Sequence, residues 1–305
     1  MGYRMGVKEI LLLFLTAVFW GVSYFFIKVA VISFTPCMVV AGRLFFASLF
    51  MLGYLFYTRN KLPRKSRFWK AFLVLGLTNC TLPYILISWS EVYIDSGLAA
   101  ILGATMPLFT IIIGVAVVGQ ESFTWSKGIG LAVGLIGVVL LVGPEAVKGL
   151  GINVWAQLAN VAAAFVYAIA AVYGANLEDV KPVVATAGQV LMGFVTILPF
   201  TLAEVPWTMQ LKIWPLLALA GLGIFSTAIP YIIYFYLLST VGPTNVSLVS
   251  YLIPMVGMIT GVLFLGEKVT LLTVLALFLI LAGVAGVSGI KGMEKNTENT
   301  GIEKS

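Results

Sequence analysis

Residues Pro83–Pro107 read PYILISWSEVYIDSGLAAILGATMP, and the landmarks of this stretch are written a second time 147 positions later. Pro83-Tyr84 returns as Pro230-Tyr231, and Pro107 returns as Pro254. At the same offset Gly76 meets Gly223, Ala17 meets Ala164, Gly114 meets Gly261, and Trp20 meets Tyr167. With one residue dropped, Glu121 meets Glu267 and Gly137 meets Gly283. A register that holds over so much of the chain means a unit of about 140 residues written twice.

The composition decides the medium in which this unit folds. Of 305 residues, 61% are hydrophobic and 10% charged, with a mean hydropathy of +1.07. Such a chain cannot cover a water-facing surface, so it belongs in a bilayer. Uncharged runs of roughly 17 to 29 residues follow one another with short polar joints, and each is long enough for a helical crossing. The expected spans are 9–31, 35–57, 69–90, 94–118, 126–143, 152–174, 182–203, 213–238, 243–265 and 270–290. The uncharged stretch Ile213–Gly266 is split at the turn-forming cluster Ser239–Thr244. Six of the seven tryptophans, at positions 69, 89, 125, 155, 207 and 214, fall near span ends, where an indole N–H stays wet. Trp20 falls mid-span instead. The fold expected is therefore an all-α membrane protein of ten transmembrane helices.

Basic residues set the orientation. With the N-terminus inside, the inner segments hold thirteen of the eighteen Lys and Arg, chiefly in the 59–70 loop. The outer loops hold Lys148, Lys212 and Lys268, while Lys28 and Arg43 lie within spans. Both termini are expected in the cytoplasm. Five spans per unit is an odd number, so the second copy enters the membrane upside down and the repeats are inverted. The expected organisation is an N-terminal tail 1–8, repeat one 9–143, a linker 144–151, repeat two 152–290 and a polar C-terminal tail 291–305. Arg4 and Lys8 precede an apolar run as in a secretory signal. No small-residue cleavage site closes the run, so it reads as a retained first span.

Several chemistries are excluded or disfavoured. The net charge of +6 forms no basic stripe on a soluble face, so nucleic acid is not the expected partner. There is no histidine, which removes Ser-His and HExxH catalysis and a histidine proton relay. Cys37 and Cys80 lie inside spans and read as apolar fillers. Neither an enzyme, a metal site nor a cofactor is expected.

The polar residues within spans mark the candidate site. Trp20 and Tyr167 sit at matching depths, and their N–H and O–H groups require partners that a cavity supplies. Gln157, Asn160 and Tyr167 share one helical face with Ala164. Span eight offers Thr227, Tyr231 and Tyr234, and span three offers Asn79, Cys80 and Tyr84. Pro83, Pro107, Pro230 and Pro254 fall within spans and read as kinks at a hinge between the repeats. Lys28 and Arg43 need partners in the membrane. Glu91 and Asp95 are candidate partners for Lys28, and Arg43 is placed to cap the carbonyls of a broken helix or to meet a substrate carboxylate. Glu121 and Glu267 read as stabilisers of helix N-termini. Gly130, Gly134 and Gly137, with Ala282, Gly286 and Gly289, have small-xxx-small spacing for close packing within a protomer or between two. No Asp or Glu lies near the bilayer centre, which predicts gradient-driven facilitation or exchange without obligatory proton coupling.

Trp20-Gly21, Arg43, the run Ser96–Ala100 leading to Pro107, Gly119-Gln120-Glu121 and the glycine-rich fifth span together resemble the drug/metabolite transporter superfamily, in its ten-span EamA-type branch. The resemblance covers roughly residues 9–290. It departs from its first-half pattern where Tyr167-Ala168 stands in place of Trp-Gly and where Gly266-Glu267 lacks the extra Gln. It implies a secondary carrier of small metabolites, amino acids or related compounds, commonly in the export direction. A multidrug or nucleobase exporter, or a non-transporting scaffold or receptor, is the alternative. The expected partners are a small-molecule substrate and the lipid bilayer, and the protein is a monomer or homodimer.

Overall fold

A computed structural model describes residues 6–115, 124–147, 151–174, 180–204 and 212–288. Among these the secondary structure is helical, with thirteen α-helices. α1 is Val7–Ala30 and α2 Pro36–Tyr57. α3 (Ser66–Leu75) runs through a π-helical turn, Gly76–Thr81, into α4 (Leu82–Tyr93). α5 (Ser96–Gly103) and α6 (Met106–Ile113) follow, then α7 (Trp125–Val147), α8 (Ile152–Gly174) and α9 (Pro182–Ala203). α10 (Ile213–Gly223) passes through a second π-helical turn, Ile224–Ala228, into α11 (Ile229–Val246). α12 (Val249–Leu265) and α13 (Leu271–Ser288) complete the order.

Local sequence explains where these helices begin and break. Glu9 reaches back to accept the Gly6 N–H at 3.1 Å, satisfying a donor that the start of α1 leaves over. Thr35 accepts the Met38 N–H at 3.4 Å, and Pro36 occupies the first turn of α2, where its missing donor costs nothing. Within α11 Gly242 adopts φ 78° and ψ 167°, a conformation open to glycine. This break lies inside the Ser239–Thr244 cluster where the sequence divides the long apolar stretch.

The four prolines fall within the apolar rods Ser66–Tyr93, Ser96–Ile113 and Ile213–Gly242 and the shorter helix Val249–Leu265. Pro83 and Pro107 stand in the first turns of α4 and α6, and Pro230 is the second residue of α11. Of the four, Pro254 alone lies beyond the first turn of its α-helix, α12. A π-helical turn or a helix start relieves the i−4 clash and the lost hydrogen bond that a proline imposes in mid-helix. The two π turns, Gly76–Thr81 and Ile224–Ala228, keep the 147-residue register at their last residue. The repetition thus extends to backbone geometry. A further helix-interior proline, Pro199 in α9, has no place in the sequence reading.

Among the described residues seven helical rods are long and apolar enough to cross a membrane, and Lys127–Gly143, Val249–Leu265 and Leu271–Gly286 are shorter apolar helices. Their packing crosses between the halves: α2 lies on α9, α1 on α10 and α12, α4 on α8, and α7 on α13. The α7–α13 contact uses the glycines. A Cβ added at Gly283 would sit 2.4 Å from the Gly134 nitrogen and 2.6 Å from the Gly130 oxygen. Gly130, Gly134 and Gly137 are thus buried in this contact, whereas on α13 it runs through Gly283 and leaves Ala282 exposed. Phe56, Leu263, Phe264 and Phe278 are exposed on the outside, as expected of side chains that face acyl chains. α7 also continues through Pro144 to Val147, into the segment that the sequence assigns to the linker. Gly119-Gln120-Glu121, Trp207, Gly289, residues 1–5 of the N-terminal tail and the whole C-terminal tail lie outside the described residues.

Candidate functional site

The two π turns organise the interior. A π turn leaves a carbonyl without its usual helical donor, and in a membrane protein that group must be satisfied from within. In the second turn the donor comes from α2. Arg43, 6% exposed, donates through Nε to Thr227 Oγ1 at 2.8 Å and through Nη2 to the Ser226 carbonyl at 3.2 Å. Thr227 in turn donates to the Leu222 carbonyl at 2.8 Å. The Arg43 guanidinium lies 3.7 Å from the centre of the Tyr84 ring, where the negative ring face offsets part of its buried charge.

The first π turn is held from the other half. Asn79 donates to Gln189 Oε1 on α9 at 3.1 Å and to the Tyr231 hydroxyl at 3.0 Å. Thr81 donates to the Gly193 carbonyl at 3.1 Å. Gln189 is absent from the candidates read in the sequence. The signal for it was present: Arg43 maps by the repeat register onto Val190, the adjacent residue. So each half sends a polar side chain from its second crossing to the π turn of the other.

Aromatic rings are paired in the same duplicated way. Trp20 meets Tyr231 at 5.8 Å between centroids and 75° between planes, while Tyr84 meets Tyr167 at 6.4 Å and 66°. These edge-on pairs are the same pair in repeat register, and each joins one half to the other. Tyr234 adds a second contact to Trp20 at 5.4 Å, and Phe235 stacks on Tyr231 at 6.3 Å and 21°. Phe235 also lines a cavity of about 550 Å³ bounded by Lys8, Tyr54, Lys181, Ile232 and Tyr236. Phe235 is shared by the cavity and the ring cluster, but Trp20, Tyr231 and Tyr234 do not line this cavity. Lys8 donates to the Tyr236 hydroxyl at 2.9 Å, and Lys181 to Asn60 Oδ1 at 3.0 Å.

The polar face of α8 is divided. Tyr167 joins Tyr84, but Gln157 and Asn160 are buried away from the rings, Asn160 against α4. Asn160 donates to Ser90 Oγ at 2.9 Å, and the amide oxygens of both residues lack a hydrogen-bond partner. The expected charge pairing is also redrawn. Lys28 reaches Glu91, yet through the main chain: its ammonium donates to the Glu91 carbonyl at 2.6 Å and to the Ile94 carbonyl at 2.8 Å. Orphan carbonyls at the C-terminus of α4 carry partial negative charge and receive the cation. The Glu91 side chain is fully buried with both oxygens unpartnered.

Comparison with known proteins agrees with this architecture. The sequence model of the EamA-like transporter family matches residues 7–143 and again 154–289. An "uncharacterized transporter" of Archaeoglobus fulgidus is 28% identical over 273 residues, 88% of this chain and 94% of that protein. The "uncharacterized inner membrane transporter YedA" of Escherichia coli K12 is 28% identical over 270 residues, 87% and 85% of the two chains. A "crystal structure of protein" shares the fold with a TM-score of 0.65 and 18% identity, over 92% of this chain and 98% of that one. A multi-pass helical membrane protein whose two halves each match the same model, this chain belongs to the EamA-like transporter family, and it is a membrane transporter.

Proposed function

We propose that the chain is a ten-span secondary transporter built from two inverted repeats, 9–143 and 152–290, joined through 144–151. It carries small polar or amphipathic metabolites, amino acids and related compounds foremost, in the export direction. The observation that carries this reading is the duplicated aromatic pair, Trp20 with Tyr231 and Tyr84 with Tyr167. A site made of equivalent residues from both halves sits where one half rocks against the other, as alternating access requires. Asn79, Gln189, Arg43 and Tyr234 add donors, acceptors and one fixed positive charge around the rings. The substrate site comprises Trp20, Asn79, Tyr84, Tyr167, Tyr231 and Tyr234, with Gln157 and Asn160 behind it. Pro83, Pro107, Pro230 and Pro254 serve as hinges, since three of them adjoin breaks that already lack regular hydrogen bonding. The ring layer also suits a planar solute, which keeps nucleobases among the substrates to be tried.

The test is a thermal-shift panel of amino acids and nucleobases on the purified protein, because a ligand that prefers the folded state raises its stability. At least one compound should raise the melting temperature of the wild type and not that of Trp20→Ala. A panel without any shift, or a shift retained in Trp20→Ala, would sink the assignment.

A further inference from the structure

We propose that Glu91 is the proton-binding site of this carrier, holding its proton while the Lys28 side is closed and releasing it when that side opens. The side chain is 0% exposed. An ionised carboxylate without water or hydrogen-bond partners is strongly disfavoured, and neither oxygen of Glu91 has a partner. On α8, which packs against α4, the acceptor oxygens Gln157 Oε1 and Asn160 Oδ1 are likewise buried without a partner. A protonated carboxyl is itself a donor, so one proton removes the charge and adds a donor to a region with unmet acceptors.

The groups that face Glu91 set its surroundings. From α1 come Lys28 and Tyr24, from α2 Arg43, and from the loop ahead of α13 Glu267. Asp95 lies just beyond α4 with Lys28 and Glu267 as its own neighbours. From α8 the neutral Asn160 bonds Ser90, the residue before Glu91. The nearest cation is already engaged, since Lys28 donates to the Glu91 and Ile94 carbonyls. Those two bonds fasten α1 to the end of α4. Glu267 fastens the start of α5 through the N–H groups of Ser96 and Gly97 at 2.7 and 2.9 Å.

Opening this side separates α1 and α5 from α4 and admits water to Glu91. The carboxyl O–H bond then breaks, the proton passes to water on that side, and the carboxylate remains hydrated beside the Lys28 ammonium. Closing again requires the carboxylate to take up a proton first. The sequence places Glu91 at a span end and predicts exchange without proton coupling, and its complete burial removes the ground for that expectation. The inference rests on the alternating-access reading above.

The test uses purified protein and protons alone. Infrared spectra over a pH series should contain a protonated-carboxyl band at neutral pH that shifts in D2O and is lost as the pH rises. The band should be missing in Glu91→Gln and retained in Glu267→Gln. Amide exchange over residues 88–97, corrected for its intrinsic pH dependence, should accelerate together with loss of the band, and should stay slow at every pH in Glu91→Gln. Should that variant fail to fold, Glu91→Asp should give a titrating band at a displaced position. Identical wild-type and Glu91→Gln spectra overturn the assignment. A titrating band with unaltered exchange overturns the coupling, and protection restored by sodium at fixed pH overturns it in favour of a metal cation. Ligand stabilisation in the panel above does not depend on this band, so the two readings fail separately.

Discussion

Glu267 accepts the main-chain N–H of Ser96 at 2.7 Å across 171 residues of sequence, bringing a carboxylate of the second half to the first turn of a helix in the first. Its other oxygen takes the Gly97 N–H at 2.9 Å. The αL residue Gly266, at φ 67°, turns the chain out of α12 so that this reach is made. Glu267→Ala should lower stability by about 0.5 to 2 kcal/mol, the range for a lost N-terminal cap. Glu267→Gln, which keeps one acceptor, should lose less. Thermal unfolding in one detergent compares the three proteins, and equal melting temperatures would show that the cap contributes nothing.

Asp95 stands beside that cap and suffers from it. Burial pushes its carboxyl above the ordinary aspartate value, Glu267 pushes in the same direction, and Lys28 opposes both. The folded protein therefore holds this proton more tightly than the unfolded chain. The stabilisation is fully present below the unfolded value and is lost as pH rises through the folded one. Asp95→Asn should melt higher than wild type at neutral pH, and the gap should close in acid. A gap that does not change with pH would mean that the charge at Asp95 is not what the substitution relieves.

Arg43→Lys keeps the charge but not the planar fork that spans Thr227 and Ser226. The buried Ser226 carbonyl then loses its donor, at a cost of about 1 to 3 kcal/mol. Thr227→Val should remove part of the same stability. The double variant should lose less than the sum, because both substitutions break one network. Additive losses measured by thermal unfolding would show that the two residues act separately.

Gly283→Val should disrupt the α7–α13 contact, since the new side chain meets main-chain atoms of Gly134 and Gly130 that have no rotamer to yield. Overpacking of this kind costs about 1 to 3 kcal/mol or more. Gly143→Ala is the control, where the nearest atom to an added Cβ is a Val139 methyl at 3.9 Å. If both variants unfold at the wild-type temperature, the glycine contact is not a tight one.

Reporter fusions should read cytoplasmic at Lys61 and Ser305 and external at Lys148, as the thirteen-to-three division of basic residues requires. A cytoplasmic reading at Lys148 would overturn both the ten-span count and the inverted arrangement of the halves.

The sequence by itself determined the medium, the apolar segments, the repeat and its register. These follow from local rules: a bilayer demands uninterrupted apolar length and backbone groups satisfied inside each segment. The register went further, since Trp20 with Tyr167 and Pro83-Tyr84 with Pro230-Tyr231 are the residues that build the duplicated ring pairs. Tertiary structure alone decided who meets whom. Trp20 pairs with Tyr231 and not with Tyr167. Lys28 takes a carbonyl of Glu91 and not its carboxylate, Gln189 enters the site, and Glu91 at the end of a span is sealed from water. Each of these depends on a partner from another part of the chain, 63 residues away for Lys28 and 110 for Gln189. Periodicity tells which face of a helix is polar, but a hydrogen bond is decided by what the opposing helix presents at a few ångströms.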